Sequence, residues 1–194
     1  MNQATAAKIE EAPSFSFEGL VGLSDDDLHQ IFVASDGPEL ASLAGFEWRG
    51  FNTPSWTKTL GIQKFIKGFF ADVGALGGYN VRVKKGGLSE PWQQLPSPES
   101  PEAFGFFTVE RVNPGAPACP HPNSVLLDYG ASRHNRWYRA DDTSMRVLRD
   151  YVVQPDRGNP NLLLGKAFIA IGSMLVYSNF FVLERLRPAV WRRF

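Results

Sequence analysis

From Tyr79 to Arg185 the chain is written in short apolar or alternating runs separated by turn residues, and this rhythm constrains the fold more than any other feature. The runs are Tyr79 to Lys84, Phe104 to Val112, Ser124 to Tyr129, Met145 to Val153, Leu162 to Ile171 and Leu175 to Arg185. Between them lie Gly86-Gly87, the segment Pro96 to Pro101, the proline-rich Asn113 to Asn123, and Pro155 to Pro160 with Gly158. Apolar or alternating runs bounded by Gly, Pro and Asn read as strands. Phe46-Glu47-Trp48-Arg49-Gly50-Phe51 alternates in the same way further upstream, and Trp92 and Trp137 mark shorter strands. The total is about eight. Strands joined by such loops pair antiparallel, and closing them into a single up-and-down barrel leaves no edge open. The predicted fold class is mainly β.

Helices are expected before and within this barrel. Ser24 followed by Asp25-Asp26-Asp27 supplies a cap and first-turn acids for a helix carrying Leu28, Ile31 and Phe32. Pro38 to Gly45 has proline at its start and glycine at its end, as a short helix does. Between Ser55 and Asp72, Ile62, Phe65, Ile66, Phe69 and Phe70 fall at helical spacing, with Lys58, Gln63, Lys64 and Lys67 largely off that face. This spacing predicts an amphipathic helix inserted between the first two strands. Laid across the open end it would be a lid, and packed on the wall it would be core. A chain of 194 residues is the size of one domain. It divides into a lead over 1–22, a barrel over 23–188 and a tail over 189–194.

Charge and residue usage exclude several functions. A formal net charge of zero and the lack of basic residues interleaved with aromatics argue against a nucleic-acid partner. The single cysteine, Cys119, with only His29, His121 and His134, leaves too few ligands for a structural zinc site, so no metal is expected. Cys119 and His121 flank Pro120 in an extended loop where neighbouring side chains diverge, which disfavours a catalytic pair. No P-loop, GxSxG or dinucleotide fingerprint occurs, and no cofactor is expected. The opening residues lack a basic start followed by an apolar run, and Ala167 to Val182 is interrupted by Gly172, Ser173, Ser178 and Asn179. A cytoplasmic protein is therefore expected. The tail, with Arg185, Arg187, Arg192, Arg193, Trp191 and Phe194, would either touch an acidic membrane surface weakly or pack back on the barrel.

Gly45-Phe46-Glu47-Trp48 after a short helix, with Glu184-Arg185-Leu186-Arg187 after the last long run, resembles the lipocalin pattern. With Arg49-Gly50, Leu126-Leu127-Asp128-Tyr129 and Phe180 to Arg185, it looks like an uncharacterised bacterial lipocalin-like (calycin-type) family near the GXWXG group. Trp48 and Gly50 match that group, whereas the consensus after them does not. The resemblance implies that Trp48 closes the barrel floor and that Arg185 or Arg187 stacks on its indole, a contact that cation–π attraction favours.

An eight-stranded barrel holds either its own side chains or one small ligand, and a ligand pocket is mostly apolar with few polar groups. The expected ligand residues are Trp48, Phe65, Phe69, Phe106, Tyr129, Tyr151, Tyr177 and Asn179. The polar groups to watch are Asp128, Tyr129, Arg133, His134, Arg149, Asp150, Tyr177 and Asn179. The first functional expectation is binding of a small hydrophobe such as a lipid, fatty acid or isoprenoid. The alternative is a cofactor-free isomerase, cyclase or hydrolase with Asp128, His134 and Tyr129 moving protons. In the bland reading Asp128 pairs with Arg133 at a strand end and His134 lies in an exposed loop. A third possibility is an interaction module with no cavity.

Overall fold

Eight strands form one closed barrel in which each pairs antiparallel with the next and the last returns to the first. They are β1 (Phe46–Asn52), β2 (Lys64–Asp72), β3 (Ala75–Arg82), β4 (Ala103–Arg111), β5 (Val125–Asp128), β6 (Leu148–Val153), β7 (Leu162–Ile171) and β8 (Met174–Pro188). The helices are α1 (Phe17–Val21), α2 (Asp25–Ala34), α3 (Leu40–Leu43), α4 (Trp56–Leu60) and α5 (Ala140–Met145). This is a computed structural model, and it describes residues 15–72, 74–112, 120–136 and 139–189. The mainly β, up-and-down architecture agrees with the sequence rhythm. Among the described residues no helix is long and apolar enough to cross a membrane.

The wall is apolar on both faces, and each face has its own core. Inside, Trp48, Phe69, Phe107, Val109, Leu127, Leu163, Phe181 and Leu183 pack together, with Leu43 of α3 beneath them. Outside, α1 and α2 lie over the wall and bury Phe17, Leu20, Leu28 and Phe32 against residues such as Phe51, Val153, Leu162 and Val182. The Asp27 backbone N–H donates to the Ser24 side chain at 3.2 Å, which caps α2 as expected.

Double burial also explains the main correction to the sequence reading. The helix expected between Ser55 and Asp72 is only α4, which stops at Gly61 in the left-handed conformation (φ 72°). The chain then enters β2, where Phe65, Lys67 and Phe69 point into the barrel while Ile66 and Phe70 join the outer core. A strand covered on both faces needs apolar residues at both parities, and that pattern imitates helical spacing. β2 is thus the eighth strand. Trp92 instead lies in the β3–β4 connection, buried in the outer core, and Trp137 lies outside the described residues.

Alternation also breaks within β4. Gly105 has φ 52°, and around it Asn80 pairs with Phe104 while Gly78 pairs with Phe107. A bulge of this kind inserts one residue and resets the parity beyond it. Phe107 consequently faces inward, whereas Phe106 packs outside against Tyr79 and His134.

Glycines recur opposite aromatic rings. Gly50 pairs with Phe65, Gly78 with Phe107 and Gly165 with Phe181, all inward, and Gly68 pairs with Tyr79 outside. A Cβ on any of these glycines would lie 2.1 to 2.2 Å from the opposing ring. The rings therefore lie flat on the neighbouring strand. Gly165→Val should cost about 1–3 kcal/mol by overpacking, read as a lowered urea midpoint at unchanged slope.

The outer core also takes in His121. His121 sits among the rings of Phe32, Tyr151 and Phe168 at 4.8, 5.6 and 5.7 Å. Burial, assisted by the Lys166 and His29 charges, lowers its pKa from 6.5 to about 4. Between those values the unfolded chain binds the extra proton, so the stabilisation is complete above pH 6.5 and is lost as pH falls towards 4. Urea unfolding of the wild type at pH 7 and pH 4.5 should show this loss, and His121→Phe should reduce the difference between the two pH values.

Candidate functional site

Below its middle the barrel is filled, and above it is open. Trp48, Phe69, Phe107, Leu127, Leu163 and Leu183 occupy the lower interior. Above them a cavity of about 780 Å³ runs to the mouth, walled by Phe65, Phe104, Met145, Leu148, Ala167 and Phe181. The bulge at Gly105 brings Phe104 to this wall. The ring of Phe181, flat on Gly165, leaves the space above it free.

At the base of the cavity stands a polar centre made by Lys67 from β2, Asn80 from β3, Tyr129 after β5 and Asp150 from β6. Lys67 Nζ donates to Asn80 Oδ1 at 3.0 Å and to Asp150 Oδ2 at 3.1 Å, and it also contacts the Tyr129 hydroxyl closely. The Tyr129 hydroxyl donates to Asp150 Oδ2 at 3.1 Å. Asn80 Nδ2 donates to the Gly105 carbonyl at 2.8 Å, which fixes the amide's orientation. The Lys67 and Asp150 side chains are only 4% and 5% exposed. Asp150 Oδ1 is buried and has no hydrogen-bond partner among the described residues.

The environment of the ammonium is unusual for a lysine. Phe107, Tyr129, Phe65 and Phe181 place their rings 5.0 to 5.3 Å from Lys67 Nζ. Such rings attract a cation through their quadrupoles. Burial nevertheless lowers the Lys67 pKa, with the Asp150 charge and hydrogen bond acting in the opposite direction. Tyr129 is pushed well above its ordinary value, first by burial and then by the Asp150 carboxylate. The hydroxyl is thus a donor at neutral pH, and the ammonium is a better acid than a surface lysine. Because Lys67 and Asp150 cancel in charge, the centre suits a neutral polar group better than an isolated ion.

The mouth differs in character. Trp56 and Ile62, 44% and 48% exposed, stand at its edge beside Lys84 and Lys85. Arg82 pairs there with Asp141 at 3.1 Å. α4, though far shorter than expected, therefore contributes Trp56 to the entrance.

The sequence-predicted residues separate into three groups. Phe65, Tyr129 and Asn179 line the cavity. Trp48 and Phe69 belong to the packed floor, where the Arg185 guanidinium lies 5.1 Å from the Trp48 ring and donates to the Ser42 carbonyl at 2.8 Å. Arg187 instead binds Glu47 Oε2 at 2.8 Å on the outer side. Phe106, Tyr151 and Tyr177 also face outward, with the Tyr177 hydroxyl donating to Asp25 Oδ2 at 2.7 Å.

Asp128, Tyr129 and His134 are not brought together. Asp128 and Tyr129 are adjacent on an extended chain and point to opposite faces. Asp128 accepts from the Gly130 and Ala131 N–H groups at 2.7 and 3.0 Å and pairs with Arg149 at 3.1 Å. His134 packs between Phe70 and Phe106 in the outer layer rather than extending into solvent. Cys119 and the tail residues Trp191, Arg192, Arg193 and Phe194 lie outside the described residues.

Sequence reasoning missed Lys67 and Asn80, and it noticed Asp150 without giving it a role. Reading residues 64–72 as a strand would have put Lys67 on one face with Phe65 and Phe69, where a lone lysine demands a partner. No protein-family model, curated protein or solved structure matches this chain.

Removing one member of a buried ion pair strands the other, whereas replacing both with apolar groups does not. Lys67→Met should cost about 3–5 kcal/mol in urea unfolding, and the double substitution Lys67→Met/Asp150→Leu should recover most of that loss.

Proposed function

We propose that this chain is a lipocalin-like binding protein for a small, largely apolar molecule bearing a neutral polar group. The observation that carries this reading is the 780 Å³ apolar cavity ending on the buried Lys67–Tyr129–Asp150 centre. Its volume falls in the range of small-molecule sites, which pair apolar walls with a few placed polar groups. Trp48 beneath Arg185 supports the lipocalin-like reading, and the GXWXG-type kinship remains part of the proposal.

The polar group would meet the centre at Lys67 and its partners on the cavity lining. The apolar body would lie along Phe65, Leu148, Ala167 and Phe181 towards the mouth. The orphaned carboxylate oxygen also favours a second reading, a cofactor-free isomerase of an apolar substrate. In that reading Asp150 and Tyr129 take the proton-transfer roles once expected of Asp128 and His134.

Titration with a fluorescent long-chain alcohol should give saturable binding at one site per chain, displaced by decanol. Ala167→Phe, which fills the cavity from its wall, should weaken binding about tenfold or more while leaving the urea midpoint close to wild type. Non-saturable uptake, or binding indifferent to this substitution, would overturn the assignment.

A further inference from the structure

We propose that the cavity captures apolar aldehydes or ketones covalently, with Lys67 as the nucleophile that forms an imine. This rests on the binding reading, because the carbonyl compound must first enter the cavity. It goes further by naming the ligand's reactive group and the atom it meets.

The geometry places the required parts within one hydrogen-bonding unit. Lys67 Nζ reaches a proton acceptor, Asp150 Oδ2, at 3.1 Å, and it touches a hydroxyl that can carry protons, Tyr129. These groups line the base of the apolar cavity, so a carbonyl at the inner end of an alkyl chain would arrive at the amine. A second oxygen, Asp150 Oδ1, is buried and unpartnered among the described residues. Enclosure by the aromatic rings around Nζ keeps bulk water from competing for the amine and suits a delocalised iminium as well as an ammonium. Burial also favours the free amine, as it does for other nucleophilic lysines.

The protons and electrons balance without any further reactant. The Lys67 ammonium passes one proton to the Asp150 carboxylate, and the freed lone pair attacks the carbonyl carbon. The C–N bond forms as the carbonyl π pair moves to oxygen. Tyr129 gives its proton to that oxygen and takes one from nitrogen, leaving a neutral carbinolamine. Asp150 then protonates the hydroxyl, the C–O bond breaks with loss of water, and the nitrogen lone pair completes the C=N bond. The iminium carries the single positive charge that the ammonium held, still opposite the Asp150 carboxylate.

Surface lysines supply an internal control. Lys58, Lys84 and Lys85 are exposed and lack a comparable acid–base pair in an apolar enclosure. The full-length chain is incubated with decanal and cyanoborohydride, and adducts are located by intact-mass and peptide mass spectrometry. The expected result is one reduced decyl group per chain at Lys67, formed roughly tenfold or more faster than at any other lysine. Decanol, which fits the cavity and has no carbonyl, should suppress it. The Lys67→Met/Asp150→Leu chain, checked for its fold by urea unfolding, should show no adduct at the cavity.

Decanol that displaces the fluorescent alcohol while decanal leaves Lys67 unlabelled would overturn covalent capture and leave the binding reading intact. Labelling spread over exposed lysines and indifferent to decanol would overturn it too. If neither the fluorescent alcohol nor decanal engages the cavity, both readings fall.

Discussion

An eight-stranded barrel has an interior just wide enough for side chains, and every other feature of this molecule answers to that narrowness. A cavity can exist only where large side chains are kept from crossing the middle. Here Phe65 and Phe181 lie flat on Gly50 and Gly165, so their volume is spent along the wall rather than across the space. Lower down, Phe107 on Gly78 joins Trp48 and Phe69 in a continuous floor. The same device thus serves both halves. Ring placement over glycine decides where the interior is full and where it is hollow.

A hollow in an apolar barrel would ordinarily be lined by aliphatic residues alone. The Lys67–Asp150 pair is therefore expensive, since each ion loses its hydration and each depends on the other to remain charged. Tyr129 and Asn80 supply the remaining hydrogen bonds, and Gly105 anchors Asn80 through its carbonyl. The bulge that turns Phe104 and Phe107 inward is centred on that same glycine. One irregular residue thus helps both to shape the apolar wall and to hold the polar centre. Among the described residues the centre is connected throughout except at Asp150 Oδ1, which lies buried behind it.

The fold was legible because loops and strand lengths are local signals. Ser24 and its acids, the turn residues after Tyr79 and the alternation around Trp48 each required only their neighbours to be read. β2 was not legible in that way, because what covers its outer face is distant in the sequence, as where Phe70 packs against His134. Misreading β2 as a helix hid Lys67, which lies off the apolar face of a helix but inside the barrel as part of a strand. Asp128 and Tyr129 show the same limit. Both are polar neighbours, and only register against β4 and β6 decides that Tyr129 is the one in the cavity.

The outer layer has a consequence for how the chain is made. α1 packs on β8 and α2 on β7, so the helices that precede the barrel rest on its last two strands and are synthesised before them. Until β7 and β8 emerge and the β1–β8 seam closes, Phe17, Leu20, Leu28 and Phe32 have no seat, and the nascent wall presents apolar residues on both sides. The outer layer can therefore settle only after β8 has been made. A cell producing this protein carries, for the duration of each translation event, a greasy unfinished sheet that its chaperones have reason to hold.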